Sequence, residues 1–256
     1  MPELEKALRT RRDEGRKLLI PYLMGGMTED WTESLAAVIA AGADAVEVGI
    51  PFSDPMMDGP VIQEAALRAL GRGTVPEAVV DGIARAEAPV PIAVMTYYNL
   101  VYRAGHKRMA RSLAAAGVSG AIIADLPIEE MQDWAAEADA AGVDTVLLVA
   151  PSSPPDRVAR ICDRARGFVY AVARMGVTGE RADLGGDVTK VVEGIRRWTD
   201  MPVCVGVGVS TPDQAAQVCE VADGVVVGSA LVRRLLEGQG PEGAAGFVAS
   251  FRDAID

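Results

Sequence analysis

The chain alternates between short continuous apolar runs and longer segments in which apolar positions recur with helical spacing. The runs lack the polar–apolar alternation of a strand with one face in solvent, so they predict strands that are buried on both faces. Eight such runs are predicted: Leu18–Met24, Asp44–Ile50, Val90–Thr96, Ser119–Ala124, Thr145–Ala150, Phe168–Ala173, Pro202–Val207 and Asp223–Val227.

A helical segment follows each run, and a leading helix precedes the first. Thr28 and Thr211 stand at predicted helix starts, as capping residues do. The weak repeat A-G-A-D at 41, A-G-V-S at 116 and A-G-V-D at 141 places a glycine between helix and strand, where a left-handed cap is expected. The predicted helices are 2–15, Thr28–Ala41, Pro60–Leu70, Pro76–Ala88, Asn99–Ala116, Pro127–Ala141, Pro155–Ala165, Asp187–Trp198, Thr211–Val221 and Gly228–Leu236.

Eight buried strands, each followed by a helix, predict an α/β fold in which a parallel sheet closes into a (β/α)8 TIM barrel. We expect a single domain over residues 1–256, with an extra N-terminal helix at 1–16 and the barrel at 17–256. The alternative is an open doubly wound sheet. Its glycine fingerprint is poorly matched, because G-V-G-V-S at 206–210 lacks the third glycine at the required spacing.

Composition excludes several classes of function. The formal net charge of −11 disfavours binding to nucleic acid or to an anionic membrane, so any phosphate must be held by a local arrangement of backbone amides. Cys162, Cys204 and Cys219 are widely spaced and His106 is the single histidine, which predicts neither a disulfide framework nor a metal site. The chain shows no signal peptide and no long apolar run, and we expect a cytoplasmic protein.

The stretch A-D-A-V-E-V-G-I-P-F-S-D-P-M-M-D-G-P at 43–60 carries the first candidate chemistry. Glu47 lies inside a predicted buried strand, where an unpaired carboxylate is costly, and Asp58 follows on the next loop. The two could therefore meet at the end of one strand as acid–base groups. Alternatively, Glu47 is a paired core carboxylate, and Asp54 and Asp58 are turn residues.

Glycine-rich loops after the last three predicted strands carry the second candidate site. They read G-V-T-G at 176–179, G-V-G-V-S at 206–210 and V-V-V-G-S at 225–229. Small residues let backbone N–H groups approach an anion, and a helix that begins near Gly228 and Ser229 would direct its positive end there. The alternative is that these are ordinary turn and cap glycines. Tyr170 faces either the core or the opposite side, and Asp125 is expected to be a cap or loop residue.

Sequence blocks along most of the chain resemble the tryptophan synthase alpha subunit family. The segment A-G-A-D-A-V-E-V-G-I-P-F-S-D-P-M-M-D-G-P-V-I-Q is closest to that family's signature. Its other blocks occur in the same order: M-T-Y-Y-N at 95–99, A-D-L-P at 124–127, M-G-V-T-G at 175–179, G-V-G-V-S at 206–210 and V-V-G-S-A at 226–230.

The resemblance implies retro-aldol cleavage of indole-3-glycerol phosphate to indole and glyceraldehyde 3-phosphate, without metal or organic cofactor. Glu47 matches the family's proton-transferring glutamate, and Asp58 matches the aspartate that stabilises charge at the indole N–H. Tyr170 matches a tyrosine beside that glutamate, and Thr178 falls in a loop that closes over the site. The residues that match the phosphate cradle are Gly179, Gly208, Gly228 and Ser229.

This reaction also needs an apolar slot for indole. The inward-facing candidates for it are Tyr22, Met95, Ile122, Leu148 and Val207. The chain departs from the family pattern in Y-L-M-G-G-M-T after the first strand, in Met56-Met57, and at Val207, where many relatives carry an aromatic residue. These departures concern the slot and partner docking rather than the acid and base.

Members of the resembled family bind a beta subunit that carries pyridoxal phosphate and receives the indole. The docking face would include Asp54 and Asn99. Two alternatives keep the same residues: a stand-alone lyase that releases free indole, and a chain that acts mainly as activating partner of a beta subunit. A phosphosugar isomerase is a further alternative, which lacks the His and Lys that such sites usually carry.

Overall fold

A computed structural model of the chain describes residues 4–172, 184–206 and 208–256. Its strands are β1 Leu18–Met24, β2 Val46–Gly49, β3 Ile92–Thr96, β4 Val118–Ile123, β5 Asp144–Thr145, β6 Leu147–Val149, β7 Val169–Val172, β8 Val203–Gly206 and β9 Gly224–Val227. Its helices are α1 Leu4–Asp13, α2 Trp31–Ala40, α3 Pro60–Gly71, α4 Pro76–Ala86, α5 Tyr98–Ala104, α6 His106–Ala115, α7 Gln132–Ala141, α8 Pro155–Arg164, α9 Leu184–Arg196, α10 Pro212–Cys219, α11 Ser229–Leu236 and α12 Gly240–Ile255.

The strands form one parallel sheet in the order β5-β4-β3-β2-β1-β9-β8-β7-β6. The two end members of this order, β5 and β6, are consecutive in the chain and are separated by Val146 alone. The Val146 N–H donates to the Ala121 carbonyl of β4 at 3.0 Å, so β5 and β6 are two halves of one barrel strand. The sheet therefore closes into the predicted (β/α)8 barrel, and the open doubly wound alternative is wrong.

The interior of the barrel is filled by every second residue of the strands, and α1 covers its N-terminal end. Leu4 and Leu8 of α1 are fully buried and belong to the inner cluster. The side chain of Leu4 lies over Gly120 and Gly167, where an added Cβ would come within 2.5 and 2.9 Å of its Cδ2 atom. The N-terminal helix thus closes one end of the barrel and leaves the C-terminal ends of the strands for a site.

A buried carboxylate joins both terminal helices to the sheet. Asp44, two residues before β2, is inaccessible to solvent and accepts a hydrogen bond from the Leu19 N–H at 2.8 Å. It also accepts from Arg16 at 2.8 Å and from both Arg11 and Arg252 at 2.9 Å. Arg11 is on α1, Arg16 follows α1, and Arg252 is on α12. The Asp44 side chain therefore connects the N-terminal segment and the C-terminal helix to the sheet.

Several helix boundaries differ from the predicted ones. The segment 99–116 forms two helices, because Gly105 between them has a φ of 84°. The segment 127–141 becomes helical only at Gln132, and α12 was not predicted. Thr28 does not cap α2, which begins at Trp31 after Asp30.

The predicted cap at Thr211 and the predicted left-handed glycines are confirmed. The Thr211 side chain accepts from the Gln214 N–H in a capping box with Gln214. Gly42, Gly117 and Gly142 have φ values of 106°, 83° and 73°. Within the described ranges, no helix combines the length and the apolar character needed to cross a membrane.

Candidate active site

Glu47 lies on the inner face of the barrel, on β2, in register with Tyr22 of β1. Its side chain is buried with 1 % exposure, and neither carboxyl oxygen has a hydrogen-bond partner among the described residues. Burial, and to a smaller degree the nearby charge of Asp58, raises the pKa of Glu47 to about 8. A carboxyl group with this pKa can both donate and accept a proton near neutral pH.

Asp58 is on the loop between β2 and α3, and its environment differs from that of Glu47. Burial raises its pKa to about 6, while a hydrogen bond from Tyr97 works in the opposite direction. Asp58 is therefore mostly ionised at neutral pH, when Glu47 is mostly protonated. Two nearby carboxyl groups whose pKa values are pushed apart can serve as proton donor and as stabilising anion.

Tyr97 contacts Asp58, but the sequence pattern did not single it out, although it lies in the M-T-Y-Y-N block. Its hydroxyl hydrogen-bonds Asp58 and accepts from the Met57 N–H at 3.0 Å. Its ring stacks on Phe52, with 5.1 Å between ring centroids. Tyr97 thereby holds the loop that carries Asp58.

Two tyrosines lie on the inner face, Tyr22 on β1 and Tyr170 on β7, with β9 and β8 between them. Tyr170 belongs to the inner cluster with Phe168 and Val172, so it faces the barrel interior. An added Cβ at Gly206 would lie 2.2 Å from its hydroxyl oxygen, and one at Gly49 would lie 2.1 Å from that of Tyr22. In each pair the glycine of the neighbouring strand leaves room for the tyrosine ring.

Glu47, Asp58, Tyr22 and Tyr170 line one cavity of about 220 Å³ at the C-terminal mouth of the barrel. Met95, one of the candidates for the indole slot, lines this cavity as well. The structure also adds Ile62 and Val226, two apolar lining residues that the sequence did not single out.

The remaining slot candidates lie elsewhere. Ile122 is fully buried in the inner cluster, and Leu148 lines a second cavity of about 460 Å³ over β4, β6 and β7. Met57 also lines that second cavity. Val207 lies outside the described residues.

Gly208, Gly228 and Ser229 line the cavity that holds Glu47 and Asp58, together with Ser210. Gly208 has a φ of 101°, a conformation that favours glycine, and α11 begins at Ser229 with Gly228 before it. The N–H groups of a first helical turn lack intrahelical partners and can bind an anion. Thr178 and Gly179 lie outside the described residues.

The residues predicted for partner docking lie away from this cavity. Asp54 is exposed on the loop after β2, where its carboxylate accepts a hydrogen bond from Ser53 at 2.6 Å. Asn99 is exposed on α5. Asp125 accepts from the Tyr98 N–H at 2.7 Å and so caps α5, as expected of a cap residue. Among the described residues, no group of three His, Cys, Asp or Glu is placed to hold a metal ion.

The fold and the comparisons below define an enzyme of the (β/α)8 barrel class, with two carboxyl groups of raised pKa in a cavity at its mouth. The family model for the tryptophan synthase alpha chain matches residues 8–250. The chain belongs to the tryptophan synthase alpha chain family.

Individual relatives agree with this membership. The chain is 47 % identical over 262 residues to a tryptophan synthase alpha chain of Halorhodospira halophila, covering 100 % of this chain and 94 % of the relative. One from Streptomyces coelicolor is 46 % identical over 247 residues, covering 95 % and 90 %. Among solved structures, tryptophan synthase from M. tuberculosis gives a TM-score of 0.90 at 38 % identity, covering 98 % of this chain and 97 % of that one. The alpha chain from Legionella pneumophila gives 0.90 at 30 % identity, covering 100 % and 98 %.

Proposed function

We infer that this chain is the lyase component of tryptophan biosynthesis, which cleaves indole-3-glycerol phosphate to indole and glyceraldehyde 3-phosphate. Membership of the family supplies the reaction. The observation that carries the assignment to this site is the buried Glu47 carboxyl group, which faces the cavity without a hydrogen-bond partner among the described residues. A structural core carboxylate would be paired, because burying an unpaired one costs several kcal/mol.

Glu47 would transfer two protons in this mechanism. Donation of its proton to indole C3 gives a cationic indolenine and makes the ring a leaving group. The carboxylate so formed then removes the proton of the hydroxyl on the adjacent carbon. As that carbon becomes the aldehyde, the C–C bond breaks, and its electron pair restores the neutral indole. A pKa of about 8 suits a group that must act in both directions.

Asp58 would stabilise the positive charge that develops at the indole nitrogen. A fixed carboxylate beside a developing cation lowers the barrier without having to reorganise during the reaction. Asp58 is ionised at neutral pH, and Tyr97 holds it in place. Tyr170 and Tyr22 would enclose the reacting carbon atoms between their rings, next to Glu47.

The substrate phosphate would bind at the opposite end of the cavity, against Gly208, Gly228 and Ser229. Backbone N–H groups of this cradle and the start of α11 favour an anion there. By resemblance, Gly179 completes the cradle, and Thr178 lies in the loop that closes over it. The indole slot would be formed by Tyr22 and Met95 with Ile62 and Val226.

The mechanism needs only acid–base groups and oriented amides, so we propose that this chain uses no metal or organic cofactor. A beta subunit that carries pyridoxal phosphate would receive the indole. Large apolar side chains are exposed near Asp54 and Asn99, with Met56 at 90 % exposure, Met57 at 62 % and Tyr102 at 69 %. Such a patch beside the site suits a protein partner. The three cysteines are free and buried, which is compatible with the proposed cytoplasmic location.

Indole release from indole-3-glycerol phosphate tests the function, measured with the purified chain alone and with a beta subunit from the same source. Slow release that increases by orders of magnitude with the partner is the expected result. Fast release without the partner would instead identify a stand-alone lyase. No release in either mixture, with activation of the beta subunit, would leave the chain as an activating partner only.

A further inference from the structure

A third cavity, of about 410 Å³, adjoins the candidate active site at its phosphate end. Ser210 and Ser229 line both this cavity and the catalytic one, so the two are neighbours across the start of α11. Arg233 and Arg234, in the middle of α11, line the third cavity. The proposed phosphate site therefore has two guanidinium groups next to it.

The side chains of Arg233 and Arg234 differ in their contacts with the rest of the protein. The Arg234 guanidinium lies 4.9 Å from the centre of the Phe247 ring and donates to the Gln239 side-chain oxygen at 3.2 Å. The Arg233 side chain is exposed, and no hydrogen bond, salt bridge or ring contact joins that side chain to any residue within the described ranges. Glu237, the acid of this cavity, accepts a hydrogen bond from Gln239 at 3.4 Å. Arg233 is thus the arginine of this pair that is available to a ligand.

Helix geometry directs Arg233 toward the cradle. It lies four residues after Ser229 on α11, so both side chains project from the same face. Helical side chains lean toward the helix N-terminus, and an arginine is long enough to bridge one turn. The guanidinium can therefore reach the level of the Ser229 hydroxyl.

Charge supplies the reason for a cation here. The chain carries a net charge of −11, and Glu47 and Asp58 line the same cavity as the proposed phosphate site. A phosphate dianion approaching this protein is repelled unless a local positive group offsets that field. Backbone amides contribute only partial charges, whereas a guanidinium contributes a full one and matches phosphate geometry.

We propose that Arg233 binds a phosphate oxygen of the substrate at the rim of the cradle formed by Gly228 and Ser229. This inference rests on the proposed phosphate end of the site. It makes Arg233 a substrate-binding residue that selects for phosphorylated glycerol derivatives and fixes which end of the substrate enters at α11.

Calorimetric titration of the full chain with glycerol 3-phosphate tests the inference. We expect Arg233→Met to weaken binding by about fivefold, the range of a partly exposed charge-assisted contact, and Arg233→Lys to recover most of the loss. The difference between wild type and Arg233→Met should shrink as ionic strength rises. In indole release, the same change should raise KM with kcat held within about twofold.

Arg234→Met is the matched control, because it removes the same charge from the same cavity. It should bind glycerol 3-phosphate like the wild type while lowering the melting temperature through loss of the Phe247 contact. Equal affinity of Arg233→Met and wild type would overturn the inference, as would equal weakening by both variants, which would indicate a general charge effect. Wild-type chain that binds glycerol 3-phosphate without releasing indole would refute the proposed function and leave this inference standing.

Discussion

The hydroxyl of Tyr97 hydrogen-bonds the Asp58 carboxylate and also accepts the Met57 N–H at 3.0 Å. Tyr97 directly follows β3, whereas Asp58 is on the loop after β2, so this contact fixes the loop that carries Asp58 to the neighbouring strand. The hydrogen bond also opposes the effect of burial on the pKa of Asp58, which is about 6.

Tyr97→Phe should therefore raise the pKa of Asp58. Because the proposed mechanism requires ionised Asp58, kcat/KM for indole release falls as pH drops through this pKa. In the variant, we expect the acidic limb of the kcat/KM pH profile to move up by about one pH unit. Tyr98→Phe is the matched control, since the Tyr98 hydroxyl hydrogen-bonds His106 at 3.0 Å instead. Identical limbs in wild type and Tyr97→Phe would contradict this role.

Glu47→Gln should reduce indole release by a factor of about 10² to 10⁴, because shape is kept and proton transfer is lost. Binding of glycerol 3-phosphate should stay near the wild-type value, since that ligand occupies the other end of the cavity. Turnover at the wild-type rate would show that Glu47 is not the acid–base group.

The same substitution should change how stability depends on pH. The pKa of Glu47 is raised from 4.5 to about 8 in the folded state, so between these values the native state binds more protons than the unfolded state. The contribution of Glu47 to stability is thus fully present below pH 4.5 and is lost as pH rises to about 8. We expect urea unfolding to show that the unfolding free energy of Glu47→Gln, relative to the wild type, is higher at pH 9 than at pH 5 by on the order of a few kcal/mol. A constant difference between the two proteins would refute an ionisable Glu47 of raised pKa.

Gly206→Ala should displace the Tyr170 ring, because the new Cβ would lie 2.2 Å from its hydroxyl oxygen. We expect a loss of about 1–3 kcal/mol in unfolding free energy, as for other overpacked cores, together with reduced indole release. Gly246→Ala in α12 is the control: nothing lies within 4 Å of its added Cβ, and a helical alanine should stabilise by up to about 1 kcal/mol. Equal effects of the two changes on stability would argue against the Tyr170 contact.

Asp44→Asn should destabilise the fold by about 3–5 kcal/mol, because it removes the buried carboxylate that pairs with Arg11, Arg16 and Arg252. The half-exposed Asp256, which also pairs with Arg252, offers a comparison, and its Asn variant should cost less than about 1 kcal/mol. Urea unfolding measures both. Similar values for the two variants would show that burial of Asp44 does not determine its contribution.

The sequence predicts the barrel well because its strands are buried on both faces and appear as eight apolar runs. The helix limits were harder to predict. The break at Gly105 depends on a single positive φ inside a segment of continuous helical composition, and α7 begins five residues after its predicted start. Local pattern does not distinguish these cases from an unbroken helix.

The candidate site was predictable where one residue contradicts its surroundings. Glu47 stands out as a charge inside an apolar run, whereas Tyr97 resembles any strand-end tyrosine. Its role depends on Asp58, which is 39 positions away. Asp44 was missed for the same reason, since its partners Arg16 and Arg252 lie 28 and 208 residues from it. Sequence pattern reveals local inconsistency, but it does not reveal partners that only the closed barrel brings together.

The pairing of Asp44 with Arg252 also bears on the kinetics of the fold. It joins residues separated by 208 positions, so we expect it to form late, after most of the barrel is in place. Interactions made after the transition state hardly affect the folding rate, and their loss accelerates unfolding. We therefore expect this buried carboxylate to affect how long the native enzyme persists rather than how quickly it is formed.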